Sequence, residues 1–181
     1  MRRWFKREPV GGRNFFGYSA RAMTTHIFET ELWLPVTREK LFPFFADAHN
    51  LEMITPPWLH FRILTPGAIA MRAGTLIDYQ IRIHGLPVCW RTEISEWNPP
   101  AGFQDMQRNG PYRLWRHTHT FEEQAGGTLC RDHVAYAVPG GALVNRLFVR
   151  KDVEQIFAYR AETLKKRFAA TLSANRVGGT L

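Results

Sequence analysis

A change of period near residue 142 constrains this chain more than any other feature of its sequence. After it, Val149, Val153, Ile156, Phe157, Arg160, Leu164 and Phe168 fall at i, i+4, i+7, i+8, i+11, i+15 and i+19. That spacing is one face of a long helix, predicted over residues 142–172. Arg150, Lys151, Glu154, Lys165 and Lys166 occupy the other side and read as a solvated face.

Before residue 142 the pattern is that of strands. Trp58–Leu64, Thr75–Ile83, Val88–Trp97, Phe103–Gln107, Tyr112–Glu122 and Thr128–Val138 are each followed by a turn signal, among them Pro66-Gly67, His84-Gly85, Asn109-Gly110-Pro111 and Gly126-Gly127. Hairpin spacing implies an antiparallel meander. An earlier strand is expected from Thr25 to Pro35, with Phe28, Leu32 and Leu34 on one side and Ile27, Glu29 and Glu31 on the other. Two short helices should follow it. Thr37 is placed to cap the first, whose apolar face is Leu41, Phe42, Phe44 and Phe45 and whose length Pro43 restricts; Asp47 caps a second that ends before Pro56-Pro57. An antiparallel sheet must cover its apolar face, and the C-terminal helix is the only element large enough. The expected class is therefore α+β: a curved seven-stranded antiparallel sheet wrapped around a long C-terminal helix, a helix-grip arrangement, with two short helices after the first strand. Such packing leaves a gap beside the helix suited to a small molecule.

The chain's 181 residues suit one domain, here residues 25–172, followed by a frayed tail over 173–181. No apolar run is long enough to span a bilayer, so no integral membrane segment is expected. The formal net charge is +8, but Arg2, Arg3, Lys6, Arg7, Arg13 and Arg21 against Glu8 put much of it in residues 1–24, read as a flexible basic extension. Charge held in a tail makes no nucleic-acid-binding face, and no nucleic-acid partner is expected. That tail has some features of a transit peptide; a start of translation at Met23 is the favoured reading. Cys89 and Cys130 lie in no metal-like spacing and read as reduced thiols of a cytoplasmic protein.

The stretches "FETELWLPVTREKLFPFFADAHNLEMITPPW", "GLPVCWRTEISEWNPPAGFQDMQ", "GPYRLWRHTHTF" and "GGTLCRDHVAYAVPGG" resemble the START-like (SRPBCC) superfamily, in particular its ligand-binding and polyketide cyclase/dehydrase-like bacterial members. The resemblance covers roughly residues 25–170. It implies the helix-grip fold and an internal cavity, and it names no ligand, cofactor or protein partner.

Alternation then selects the inner faces. Ile77, Tyr79, Ile81 and Ile83 share one; Val88, Trp90, Thr92 and Ile94 the next; then Phe103, Asp105 and Gln107; Trp115, His117, His119 and Phe121; and Cys130, Asp132, Val134, Tyr136 and Val138. The polar members are informative: Asp105, Gln107, His117, His119 and Asp132 must satisfy one another or meet a ligand or water. Three readings compete. The first is a buried hydrogen-bond network. The second is recognition of a small hydrophobic ligand such as a lipid, isoprenoid or polyketide-like compound, with Tyr79, Ile81, Trp90, Asp105, Gln107, Trp115, Tyr136 and Phe157 as binding residues. The third is a cyclase or dehydratase, with His117, His119 and Asp132 as catalytic residues on a ligand oriented by Asp105, Gln107 and Tyr136. A regulatory module that senses a ligand is also compatible with the resemblance. His117-x-His119 on a strand, with Asp132 or Asp105, has the donor types of a zinc site, but the resemblance suggests no catalytic metal, so neither metal nor cofactor is expected.

Overall fold

The computed structural model describes residues 23–177. The basic extension thus falls, but for its last two residues, outside the described residues, as does the end of the expected tail.

Seven strands form one antiparallel sheet: β1 (His26–Leu34), β2 (Arg62–Ile63), β3 (Leu76–Ile83), β4 (Leu86–Asn98), β5 (Gly102–Asn109), β6 (Leu114–Gln124) and β7 (Gly127–Ala137). Their order is β1-β7-β6-β5-β4-β3-β2, so the meander from β2 to β7 closes on β1, which pairs with β7 along its whole length. The segment Trp58–Leu64 is corrected: Pro57–Leu59 is a single 3-10 turn, and only Arg62–Ile63 pairs with β3.

Two short helices, α1 (Arg38–Phe45) and α2 (Leu51–Ile54), fill the β1–β2 connection. Thr37 stands at the start of α1, yet its hydroxyl makes no capping bond; its carbonyl accepts from the backbone of Lys40 and Leu41 instead. Asp47 does cap, its carboxylate accepting from the backbone N–H of His49 at 3.0 Å. The last helix begins within one residue of its expected start. It opens as α3 (Gly141–Val144), widens through a π turn over Asn145–Val149 and continues as α4 (Arg150–Val177). Gly140 precedes it at φ +86°, where a Cβ would also collide with a methyl of Val144. Only glycine fits both conditions.

A bulge at Ser95 shifts the β4–β5 register between Ile94 and Glu96. Bulges bend a strand and reverse its alternation. Here the reversal carries Trp97 inward, where its ring lies 5.4 Å from that of Phe42 and 5.6 Å from that of Phe103.

Among the described residues, most buried apolar side chains fall into two clusters. One joins α1, the sheet and the far part of α4 through Leu34, Leu41, Phe44, Phe121, Leu164 and Phe168. The other joins β7 to the near part of α4 through Val134, Tyr136, Val138, Val153 and Phe157. Sheet and helix are therefore packed at two places, and a cavity opens beside the contacts. No helix among the described residues is long and apolar enough to cross a membrane.

Candidate functional site

The cavity has a volume of about 460 Å³, within the range of small-molecule sites. β3 and β4 supply Ile77, Tyr79, Ile81 and Trp90 to one wall; Phe44 and Phe45 of α1 and Val153, Ile156 and Phe157 of α4 supply others. The inner-face alternation read from the sequence places these strand residues. At one end, Nε2 of His84, at the tip of the β3–β4 hairpin, meets Oδ2 of Asp152 on α4 at 2.9 Å. Both residues line the cavity, so this contact ties hairpin to helix at its edge.

The polar group lies on β5, β6 and β7. Pairing register brings it together: Asp105 is opposite His117, and His119 is opposite Asp132. Neighbours on one face of an antiparallel pair touch directly. Nε2 of His117 donates to Oδ1 of Asp132 at 2.8 Å. Nδ1 of His119 lies 2.9 Å from the same oxygen. On the other side, Oδ2 of Asp105 is 3.6 Å from Nδ1 of His117 and 3.4 Å from Nε2 of His119. Oδ1 of Asp105 accepts from the Thr92 hydroxyl at 3.2 Å. Both histidines are almost fully buried, at 4% and 6% exposure.

These contacts set the charges. Burial works to raise the Asp132 carboxyl, but the hydrogen bonds from His117 and His119 outweigh it and hold the group far below the usual carboxylate range. Asp105 is likewise held low, against burial, by His119, His117 and Arg160. Burial and the neighbouring His119 lower His117. His119 goes the other way, because its two carboxylate partners overcome burial. Burial and the Asp105 charge push the Tyr79 hydroxyl well up, so it stays a neutral donor.

His117, His119, Asp105, Tyr79, Ile81, Trp90, Trp115 and Phe157, among the candidate site residues, all line the cavity. Three other expected site residues do not. Asp132 stands behind the two histidines and touches their far nitrogens, a positioning place rather than a contact with the cavity. The Gln107 amide is engaged by backbone: it donates to the carbonyl of Tyr112 at 2.7 Å and accepts from its N–H, closing the β5–β6 turn. Tyr136 is packed among Tyr112, Trp115 and His26 in the second cluster.

Arg160 is a lining residue to which sequence reasoning assigned no role. Its guanidinium carbon lies 4.9 Å from the centre of the Phe157 ring. Its Nε and Nη1 are buried without a hydrogen-bond partner, as is Nε1 of Trp90. The signal was present: a single cation on an otherwise apolar helix face.

Residues 34–164 match the family described as polyketide cyclase / dehydrase and lipid transport. The chain belongs to this family. Solved structures of similar fold include several that are distant in sequence. The Zhui aromatase/cyclase from Streptomyces sp. R1128 is 13% identical at a TM-score of 0.66, covering 87% of this chain and 100% of its own. Ara h 8.0201 is 16% identical at 0.60, covering 81% and 99%. TTHA0849 from Thermus thermophilus is 19% identical at 0.56, with the same coverage. These likenesses show that this member of the polyketide cyclase / dehydrase and lipid transport family has the helix-grip fold. None of the curated proteins matches the sequence.

Proposed function

We propose that this protein binds one small, largely apolar molecule that carries an acceptor oxygen, in the cavity between the sheet and α4. One observation carries the reading. An apolar cavity of about 460 Å³ has buried donors without partners on two lining residues, Trp90 and Arg160, close to the Asp105–His117–His119 group. Unpaired buried N–H groups cost about 1–3 kcal/mol each, and a ligand oxygen that reaches them as the two side chains adjust removes that penalty. Lipid, isoprenoid and polyketide-like compounds all have the required apolar body and polar end. The family supports hydrophobic-ligand binding in the same terms. The unpaired Cys89 and Cys130 suit a reducing cytoplasm.

Native mass spectrometry of the protein purified from its own host tests this. The expected result is a one-to-one adduct with a small organic molecule that is lost on denaturation. An adduct-free protein that also takes up no apolar probe would overturn the reading.

A second reading, cyclisation or dehydration of the bound molecule, is favoured by the place of His117 and His119 on the cavity wall. In it the two imidazoles exchange protons with the ligand while Asp132 orients both rings. The double variant His117→Gln/His119→Gln tests it: lost conversion with retained binding supports acid–base turnover by the histidines, and unchanged conversion removes that role from them.

A further inference from the structure

The two histidines are held so that their remaining nitrogens face a carboxylate. A carboxylate only accepts hydrogen bonds. Asp132 therefore requires a hydrogen on Nε2 of His117 and on Nδ1 of His119, the atoms that meet it at 2.8 and 2.9 Å. In the neutral rings this leaves lone pairs on Nδ1 of His117 and Nε2 of His119, and both are directed at the Asp105 side. Three acceptors then converge, because Oδ2 of Asp105 is 3.6 and 3.4 Å from those nitrogens. Acceptors facing acceptors in a buried site repel unless a positive charge lies between them, and either a proton on His119, which its two carboxylates favour, or a bound cation supplies one.

The distances differ in kind on the two sides. Contacts to Asp132 have the length of charge-assisted hydrogen bonds, about 2.7–2.9 Å. Contacts to Asp105 are too long for that. They match the edge of a tetrahedron, which is about 3.3 Å for bonds of 2.0–2.1 Å to zinc. One ligand atom from each of Asp105, His117 and His119 lies within 4.8 Å of the others. The histidine–histidine edge, at up to 4.8 Å, would have to shorten on binding.

We propose that Asp105, His117 and His119 form a three-residue binding site for a zinc ion, with Asp132 as the carboxylate that orients both histidine ligands. This reverses the metal-free expectation drawn from the sequence. The three ligands line the cavity and Asp132 does not. The fourth coordination position therefore opens on the cavity, where a water or a ligand oxygen completes the shell, the arrangement of zinc sites that keep an open position. A second carboxylate accepting from the ligating histidines fixes their tautomers and raises their basicity. Two carboxylates at the site leave a net negative charge even beside Arg160, so a dication is electrostatically acceptable there. The inference stands apart from the identity of the cavity's organic ligand. With the metal in place the two nitrogens are ligands, and acid–base work by the histidines gives way to chemistry at the open position.

The test uses the full chain, stripped with chelator and titrated with Co²⁺ and Zn²⁺ without organic ligand. One equivalent of Co²⁺ should give the visible absorption of a four-coordinate ion, displaced by Zn²⁺. Asp105→Asn and His119→Gln should abolish it, and Asp132→Asn should weaken binding by about 10–100-fold. Cys89→Ser should leave it unchanged, since Cys89 is the one free thiol that is exposed. X-ray absorption of the zinc-loaded wild-type chain needs no variant: it should show two imidazoles and oxygen donors. Absence of the cobalt bands, their loss in Cys89→Ser, or sulfur in the zinc shell would overturn the assignment. Unchanged apolar-probe binding by the metal-free chain would leave the ligand-binding reading standing even then.

Discussion

The ring centres of His117 and His119 lie 3.8 Å apart, and both rings reach the same oxygen of Asp132. That oxygen is therefore the anchor of the whole polar group. Replacing Asp132 by Ala leaves two buried imidazole N–H groups without their acceptor. The expected loss is about 3 kcal/mol of stability, measured by urea unfolding, with Asp132→Asn losing less because its amide oxygen still accepts. A loss below about 0.5 kcal/mol would mean that the group rearranges around other partners.

Arg160 should separate stability from binding. Its Nε and Nη1 are buried without acceptors, so the ligand-free protein bears their desolvation. Arg160→Met keeps an apolar side chain over Phe157 and removes the charge. Stability is expected to rise by about 1 kcal/mol, while affinity for an anionic apolar probe falls at least tenfold. Lower stability together with unchanged affinity would show that the guanidinium is satisfied within the protein.

The His84–Asp152 contact closes one edge of the cavity at 2.9 Å, with the imidazole exposed to solvent. Exposed pairs contribute little to stability. His84→Ala should leave the unfolding midpoint nearly unchanged and speed release of a bound fluorescent probe in stopped flow. A release rate equal to that of the wild type would place the entry route elsewhere.

The two thiols should react differently. Burial, with the Asp132 charge, pushes the Cys130 thiol up to about 12, whereas Cys89 is exposed. A thiolate is the reactive form. At pH 8 a thiol reagent should modify one cysteine in the folded protein, Cys89 by peptide mapping, and both after unfolding. Rapid modification of Cys130 in the folded state would contradict the packing of β7.

Much of the fold was legible because each strand's inner face obeys period two and the last segment obeys 3.6. The faces of β3 to β7 could be read residue by residue, except beyond Ser95 in β4. The short β2 could not, since Trp58 and Leu59 satisfy strand propensity while Pro56-Pro57 drives a turn. Nor could the Ser95 bulge, which turns Trp97 inward without a sequence mark of its own. At the site, alternation selected Asp105, His117, His119 and Asp132 but carries no information on register. Register decides that Asp132 lies behind the histidines and Asp105 before them. Gln107 and Tyr136 share the inner face too, yet one bonds the backbone of Tyr112 and the other lies beneath packed rings. Facing inward is not the same as reaching the cavity.

Occupancy of the cavity is most directly measured by titrating an anionic naphthalene fluorophore into the wild-type chain and into Ile81→Trp. Ile81 is buried on the cavity wall, and an indole there takes up cavity space. One saturable site is expected in the wild type and at least a tenfold loss of affinity in the variant, with its fold intact by circular dichroism. Equal affinity in the two proteins would contradict it, because the probe would then be bound somewhere other than between the sheet and α4.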